Sequence, residues 1–256
     1  MNPQDGTALP HLLLSLQRRP GALDSVLIHP AGGGLIQYLT LAGRLARHGA
    51  VYGIRGSGLL PDEQPQDSVV EMTGRYLAEL ATLPRPPRLL VGWSLGGVIA
   101  WELAARLAET GPAPAVIVID GFADPESVSG TVRADLVHNL ERSVEGLPAD
   151  DAVRARTTAL AHLAAAAGHR VEACHAAPAL LLVCAGPRRE RQIAAWQRLG
   201  TEHLTVRELD CGHFEVFQLE QQSELLQHID EFLAGLDIDV LTAPLPVEPV
   251  PQESPR

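Results

Sequence analysis

The chain has 256 residues, 46% of them apolar, enough to bury the core of one domain or at most two small ones. A net charge of −11 argues against nucleic acid and anionic membrane as partners, and no apolar run approaches the roughly 20 residues of a membrane-spanning helix. Three cysteines without paired spacing suggest neither disulfides nor a zinc site, and no basic-then-apolar leader opens the chain, so a cytoplasmic protein without metal is the expectation. Along the chain, strand-like runs alternate with helix-like ones. Leu12–Leu16 and Ser25–His29 read as strands, and Gly34–Arg47 carries apolar residues at helical spacing. Val51–Arg55 reads as a strand, Ser68–Ala81 as a helix, Arg88–Trp93 as a strand and Leu95–Glu109 as a helix. In that last helix Ile99, Leu103 and Leu107 share one face. Val116–Ile119 is a β-branched run suited to a strand covered on both faces. Leu180–Ala185 and Leu204–Leu209 follow as strands, and Glu220–Ala234 closes as a helix. This alternation predicts an α/β fold with a mainly parallel central sheet flanked by helices, in one domain over residues 1–236.

One interval breaks the rhythm. Residues 124–173 hold no strand-like run, only helix-like pieces at Val132–Val144 and Asp150–Ala167, the second rich in alanine. An insertion of this size between core strands reads as a helical lid over the carboxyl edge of the sheet. The tail 237–256 has five prolines among its last thirteen residues and reads as extended and disordered.

The chemistry-bearing stretch is Gly92-Trp93-Ser94-Leu95-Gly96, between a predicted buried strand and a predicted helix. The bare Gly-x-Ser-x-Gly pattern arises by chance in roughly one such chain in ten, so its placement at a strand-to-helix turn carries the signal. There the serine backbone is strained and its hydroxyl is held above the sheet edge, with glycines where side chains would collide. Ser94 is thus a candidate nucleophile.

A serine hydroxyl needs a base within reach and a carboxylate to orient that base. Of ten histidines, His213 follows the last predicted strand in the glycine-marked loop Asp210-Cys211-Gly212-His213-Phe214. His138, His162, His169 and His175 lie in or beside the insertion and His203 precedes a strand, placements that suit the surface or a substrate-facing wall. Asp120 closes the apolar strand Val116–Ile119, where a charge is costly unless partnered, and an imidazole N–H is such a partner. After the next strand stands Glu190 between two arginines, expected to pair with it on the surface; Asp210 sits too near His213 to orient it. An oxyanion needs two backbone N–H donors. Leu95, at a helix N-terminus, supplies one, and Ala31 in the turn His29-Pro30-Ala31-Gly32-Gly33-Gly34 the other, because Pro30 has no N–H.

Taken in order, Leu12–Leu16, Ile28–Gly33, Val51–Ile54, Gly92–Gly97, Ile119-Asp120 and Gly212–Phe214 cover about residues 10–235 and resemble the thioesterase domains that end nonribosomal peptide synthetases and polyketide synthases. The resemblance implies an α/β-hydrolase fold and a Ser-Asp-His triad of Ser94, Asp120 and His213. It also implies no cofactor of the enzyme's own. The substrate would be an acyl or peptidyl thioester on the phosphopantetheine arm of an acyl or peptidyl carrier protein. The acyl chain would pass to the serine and leave by hydrolysis or macrocyclisation, from a monomer or part of a larger synthase. An aspartate 26 positions after the serine resembles the chain-terminating subtype more than free-standing proofreading enzymes. A carboxylesterase or lipase acting on free esters, and a non-catalytic acyl-binding module, are the competing readings.

Overall fold

The computed structural model describes residues 11–128, 130–200 and 202–237. Seven strands form one sheet: β1 (Leu13–Gln17), β2 (Ser25–Ile28), β3 (Val51–Ile54), β4 (Leu89–Trp93), β5 (Ala115–Ile119), β6 (Ala179–Val183) and β7 (Leu204–Glu208). Their order is β1-β3-β2-β4-β5-β6-β7, with β1 antiparallel to β3 and every other pair parallel. Parallel neighbours require crossovers, and these are the helices α1 (Leu39–Leu45), α2 (Val69–Leu80), α3 (Leu95–Ala108), α4 (Gly130–Val144), α5 (Ala149–Gly168) and α6 (Arg189–Gln197); α7 (Leu219–Ala234) follows the last strand.

The two-residue period of the strands sorts the core into two layers. Val116 and Val118 of β5 join residues from α2, α3 and α6 on one face, while Ala115, Ile117 and Ile119 join residues from α1 and α7 on the other. Both faces of β5 are therefore sealed, and all five of its residues are buried. That is why its sequence is continuously apolar and not alternating.

Most boundaries fall within one or two residues of those predicted. The helix expected over 34–47 is shorter. Gly32 and Gly33 adopt φ values of 101° and 82°, so the chain turns there and enters a 3₁₀ turn at Ile36–Tyr38 before α1 begins. Helix α6 has no counterpart among the predicted elements. Its buried side chains are Gln192, Ala195 and Trp196, one polar, one small and one aromatic, which leaves no apolar stripe to read. Between β5 and β6 the described residues contain α4, α5 and a 3₁₀ turn at Pro125–Ser127, and no strand. The proline-rich tail lies outside the described residues from 238 onward. Among the described residues no helix is long and apolar enough to cross a membrane.

Candidate active site

Parallel register brings the site together. Trp93 of β4 pairs with Ile119 of β5, so the next residues, Ser94 and Asp120, leave adjacent strands at the same level of the carboxyl edge. Both have positive φ, 56° at Ser94 and 43° at Asp120. Non-glycine residues held there cost about 1–3 kcal/mol each and persist only where the surroundings over-determine them.

The surroundings of Ser94 do so. Its N–H donates to Ile119 O (2.9 Å) and its carbonyl accepts from Gly97 N–H (3.1 Å). A Cβ on Gly92 would lie 2.0 Å from the Gly96 carbonyl, and one on Gly96 would lie 2.4 Å from Ile28 O. Only hydrogen fits at either position, so the pattern's two glycines are required by the crossing of β4, α3 and the end of β2. Ser94 caps α3 without spending its side chain on a capping hydrogen bond. The hydroxyl is thus kept out of the helix.

His213 comes from farther away, in the loop after β7. That loop continues the sheet briefly: Leu209 N–H donates to Val183 O and Ala185 N–H to Cys211 O, both at 2.8 Å. The zipper turns the chain back over β6 towards β5. There His213 Nδ1 donates to Asp120 Oδ2 at 2.7 Å, with both side chains buried. Trp93, Phe122 and Phe214 surround the imidazole at centroid distances of 5.1, 5.7 and 4.8 Å. Its Nε2 is buried with no hydrogen-bond partner among the described residues. With Nδ1 protonated, Nε2 has its lone pair free to take a proton.

Asp120 is more heavily supported than sequence reasoning expected. Its Oδ1 accepts from Cys184 N–H and from Gln192 Nε2–H, each at 3.0 Å. Gln192 Nε2 also donates to Gly121 O (2.8 Å), which accepts from the Trp196 indole as well (2.9 Å). Burial pushes the Asp120 carboxyl towards protonation, but the bond and charge of His213 and the Cys184 and Gln192 donors outweigh it and hold the group below its ordinary value. Gln192 and Trp196 belong to α6, the helix whose pattern was silent. Gln192 stands between Arg191 and Ile193, and nothing local in the sequence marks it or Trp196 for this role. Glu190, on the same helix, is exposed. The arginines beside it do not pair with it: Arg189 pairs with Glu208 and Arg191 with Glu126, because the helix turns them towards β7 and the Pro125–Ser127 turn.

The turn after β2 lies against the start of α3 through the Gly96–Ile28 contact. Pro30 O accepts from His29 Nδ1–H (2.8 Å) and from Gly33 N–H (3.0 Å), and Gly33 O accepts from Gly56 N–H (2.9 Å). The Ala31 N–H makes no hydrogen bond among the described residues. Leu95, the first residue of α3, has no acceptor within its helix for its own N–H.

The other histidines divide. His138 and His203 are exposed, and His169 pairs with Glu102 at 2.9 Å. His162 and His175 are buried, against the expectation of a surface or substrate-facing wall. His175 packs on the Trp101 indole, 5.2 Å between ring centres. His162 stacks on His29 at 4.8 Å, and His29 Nε2 accepts from the Tyr76 hydroxyl at 2.5 Å.

Burial pushes His29 down to about 4, against a smaller opposing effect of the Pro30 carbonyl. Burial and the neighbouring His29 push His162 down to about 2. An unfolded chain takes up protons at these rings as pH falls below about 6.5, while the folded rings stay neutral. Their stabilising contribution is complete above that pH and declines as pH falls towards about 4 and then about 2. Stability by urea denaturation should therefore drop by roughly 2–4 kcal/mol between pH 7 and pH 5. A flat profile over that window would contradict the neutral buried pair.

Comparison with known proteins gives the family and the architecture. A sequence model of the Thioesterase domain family matches residues 26–233. Thioesterase frbE of Dothideomycetidae sp. (strain 11243) is 30% identical over 138 residues, 46% of this chain and 52% of frbE. Nonribosomal peptide synthetase btyA of Aspergillus terreus is 35% identical over 100 residues, 39% of this chain and 11% of the synthetase. The chain thus matches about half of frbE and a small part of btyA. Among solved structures, the NocB thioesterase domain in covalent complex with a fluorophosphonate nocardicin G analogue superposes with a TM-score of 0.70 at 23% identity, covering 87% of this chain and 99% of that one. The RedJ thioesterase of Streptomyces coelicolor gives 0.69 at 21% identity, covering 88% and 96%. These two likenesses establish the α/β-hydrolase architecture, and the family match across most of the sheet and its crossovers establishes that the chain belongs to the thioesterase domain family.

Proposed function

We propose that this chain is a serine thioesterase that takes a peptide or polyketide acyl chain from the phosphopantetheine thiol of a carrier protein and releases it through an acyl-serine intermediate. The observation that carries the reading is the Asp120–His213 hydrogen bond of 2.7 Å, which leaves His213 Nε2 bare at the same sheet edge as the strained Ser94.

In the first step Ser94 Oγ attacks the thioester carbonyl and its proton passes to His213 Nε2. Asp120 stabilises the imidazolium and fixes the tautomer, while Gln192 and Cys184 N–H hold its other oxygen. The carbonyl oxygen becomes negative between the N–H groups of Leu95 and Ala31, aided by the dipole of α3. Collapse of this intermediate breaks the C–S bond, and the departing sulfur takes the proton from His213. Water, or a nucleophile within the acyl chain, then gives a proton to His213 and attacks the ester, returning Ser94 to its hydroxyl form.

The insertion 124–173 would act as the lid. Between the Pro125–Ser127 turn, α4 and α5 it holds a cavity of about 330 Å³ lined by Pro125, Val128, Leu136, Leu163, Ala164 and Ala166, apolar throughout and large enough for part of an acyl chain. Preference for a carrier-bound thioester over a free ester is supported by the family match and by the synthetase relatives. The position of the acid directly after β5 supports the chain-terminating subtype.

The test is incubation with a panel of pantetheine thioesters, read by intact-protein and product mass spectrometry. An acyl adduct on Ser94 followed by free acid or cyclic product is expected, and the product identifies the second nucleophile. Faster turnover of free esters would make the chain a carboxylesterase or lipase. Absence of an adduct, with no labelling by a fluorophosphonate, would make it an acyl-binding module.

A further inference from the structure

The two peptide planes that flank Ala31 are held from different parts of the molecule. The first plane contains Pro30 C=O and Ala31 N–H, and is fixed by core groups, His29 Nδ1–H and Gly33 N–H, both bonded to Pro30 O. The second contains Ala31 C=O and Gly32 N–H. Gly32 N–H donates to Nδ1 of His162, at 3.2 Å, across 130 positions of sequence. His162 lies on α5, within the helical insertion, and is fully buried.

The ring fits because Gly56 makes room for it: a Cβ there would lie 2.7 Å from His162 Cε1. Stacking on His29 fixes the ring plane, 24° from that of its neighbour. Accepting from Gly32 places the imidazole proton on Nε2, and this buried N–H finds no partner among the described residues. An orphaned buried donor destabilises the folded chain. A leucine at this position would bury without that cost, so general stability does not explain the histidine.

We propose that His162 is a positioning residue for the oxyanion hole, contributed by the helical insertion. By pinning the Gly32 N–H it fixes ψ of Ala31 in a turn whose next two residues are glycines with positive φ. The Ala31 N–H itself lies in the first plane, held through Pro30 O; with the second plane pinned as well, the Cα between the two planes cannot swing, and the N–H keeps one direction, towards the oxygen that becomes negative. Seating of α5 on the core and ordering of the oxyanion hole are then one event. An acyl chain that holds α5 down favours its own transfer, and one that lifts α5 loosens the donor. The inference rests on Ala31 being an oxyanion donor, as set out above.

Two variants of the full chain separate the bond from the packing. His162→Phe keeps the ring and its stack on His29 but has no acceptor. His162→Asn loses the ring but can place Oδ1 close to the position of Nδ1. The readouts are the rate of Ser94 labelling by a fluorophosphonate and the kcat and KM for a pantetheine thioester. His162→Phe should slow labelling and lower kcat about 10- to 100-fold with KM within about twofold, less than deletion of a whole oxyanion donor. His162→Asn should recover most of that loss in spite of a lower melting temperature.

Wild-type labelling that is unchanged in His162→Phe would overturn the proposal while leaving the serine thioesterase reading intact. Equal losses in both variants, tracking melting temperature, would overturn it in favour of packing alone. A wild-type chain that does not label at all would instead remove the reading on which the proposal rests. Should His162→Phe fail to fold, ¹⁵N-labelled wild-type protein decides. A scalar coupling between the Gly32 amide nitrogen and His162 Nδ1 supports the bond, and a Gly32 amide that exchanges freely with solvent overturns it.

Discussion

Replacing Ser94 by alanine is expected to lower thioester turnover by about 10³-fold or more and to abolish the acyl-enzyme adduct, because loss of the nucleophile leaves only binding and the oxyanion donors. The fold should survive. The bonds that hold position 94 are backbone bonds, its N–H to Ile119 O and its carbonyl to Gly97 N–H, and alanine makes both. The Ser94 hydroxyl caps nothing in α3, so its removal leaves the helix start as it was. The checks are kcat on a pantetheine thioester, intact mass after substrate addition, and a thermal melt. Near-normal turnover in a clean preparation would remove Ser94 from the nucleophile's role.

For Asp120→Asn the expected loss is about 10²- to 10⁴-fold in turnover, with little change in KM. The structure decides how the new amide must lie. Oδ1 of Asp120 accepts from two donors, Cys184 N–H and Gln192 Nε2–H, so the asparagine oxygen belongs there. Its NH₂ is then forced into the position of Oδ2, facing His213 Nδ1. A donor at that point demands the tautomer with the proton on Nε2, where it can no longer receive the serine's proton. Glu190→Gln is the control: Glu190 is exposed, and its loss should leave turnover unchanged. Should Glu190→Gln prove the more damaging change, the acid would lie after β6 and the free-standing subtype would regain ground.

A Gln192→Leu variant should fall between these limits. It frees the amide orientation of Asp120→Asn and, alone, removes one of the two donors on Oδ1. Turnover should drop by about tenfold and the pH at half-maximal kcat should rise, since the Asp120 carboxylate loses a group that keeps it charged. An unchanged pH profile would reduce Gln192 to packing.

The parts of this protein legible in the sequence are those with a local physical cause. Leu89–Trp93 and Ala115–Ile119 are apolar on both faces, so they read as buried parallel strands wherever they sit in the sheet. The glycines at 92 and 96 are dictated by contacts of 2.0 and 2.4 Å that any added Cβ would make, and so they mark the serine turn directly. Asp120 stood out because a charge closing an apolar strand needs a partner, and His213 because its loop begins where the last strand ends. Tertiary structure alone decided the rest. Strand order placed β5 between β4 and β6, which set Asp120 beside Ser94 and within reach of a loop two strands away. Helix α6 buries a glutamine and a tryptophan for their hydrogen bonds to Asp120 and Gly121, and bonds across more than 70 positions leave no periodic trace. His162 read as one more histidine on an alanine-rich helix. Its burial and its hold on Gly32 arise only when α5 packs against the turn after β2, because a single long-range contact has no local pattern to announce it.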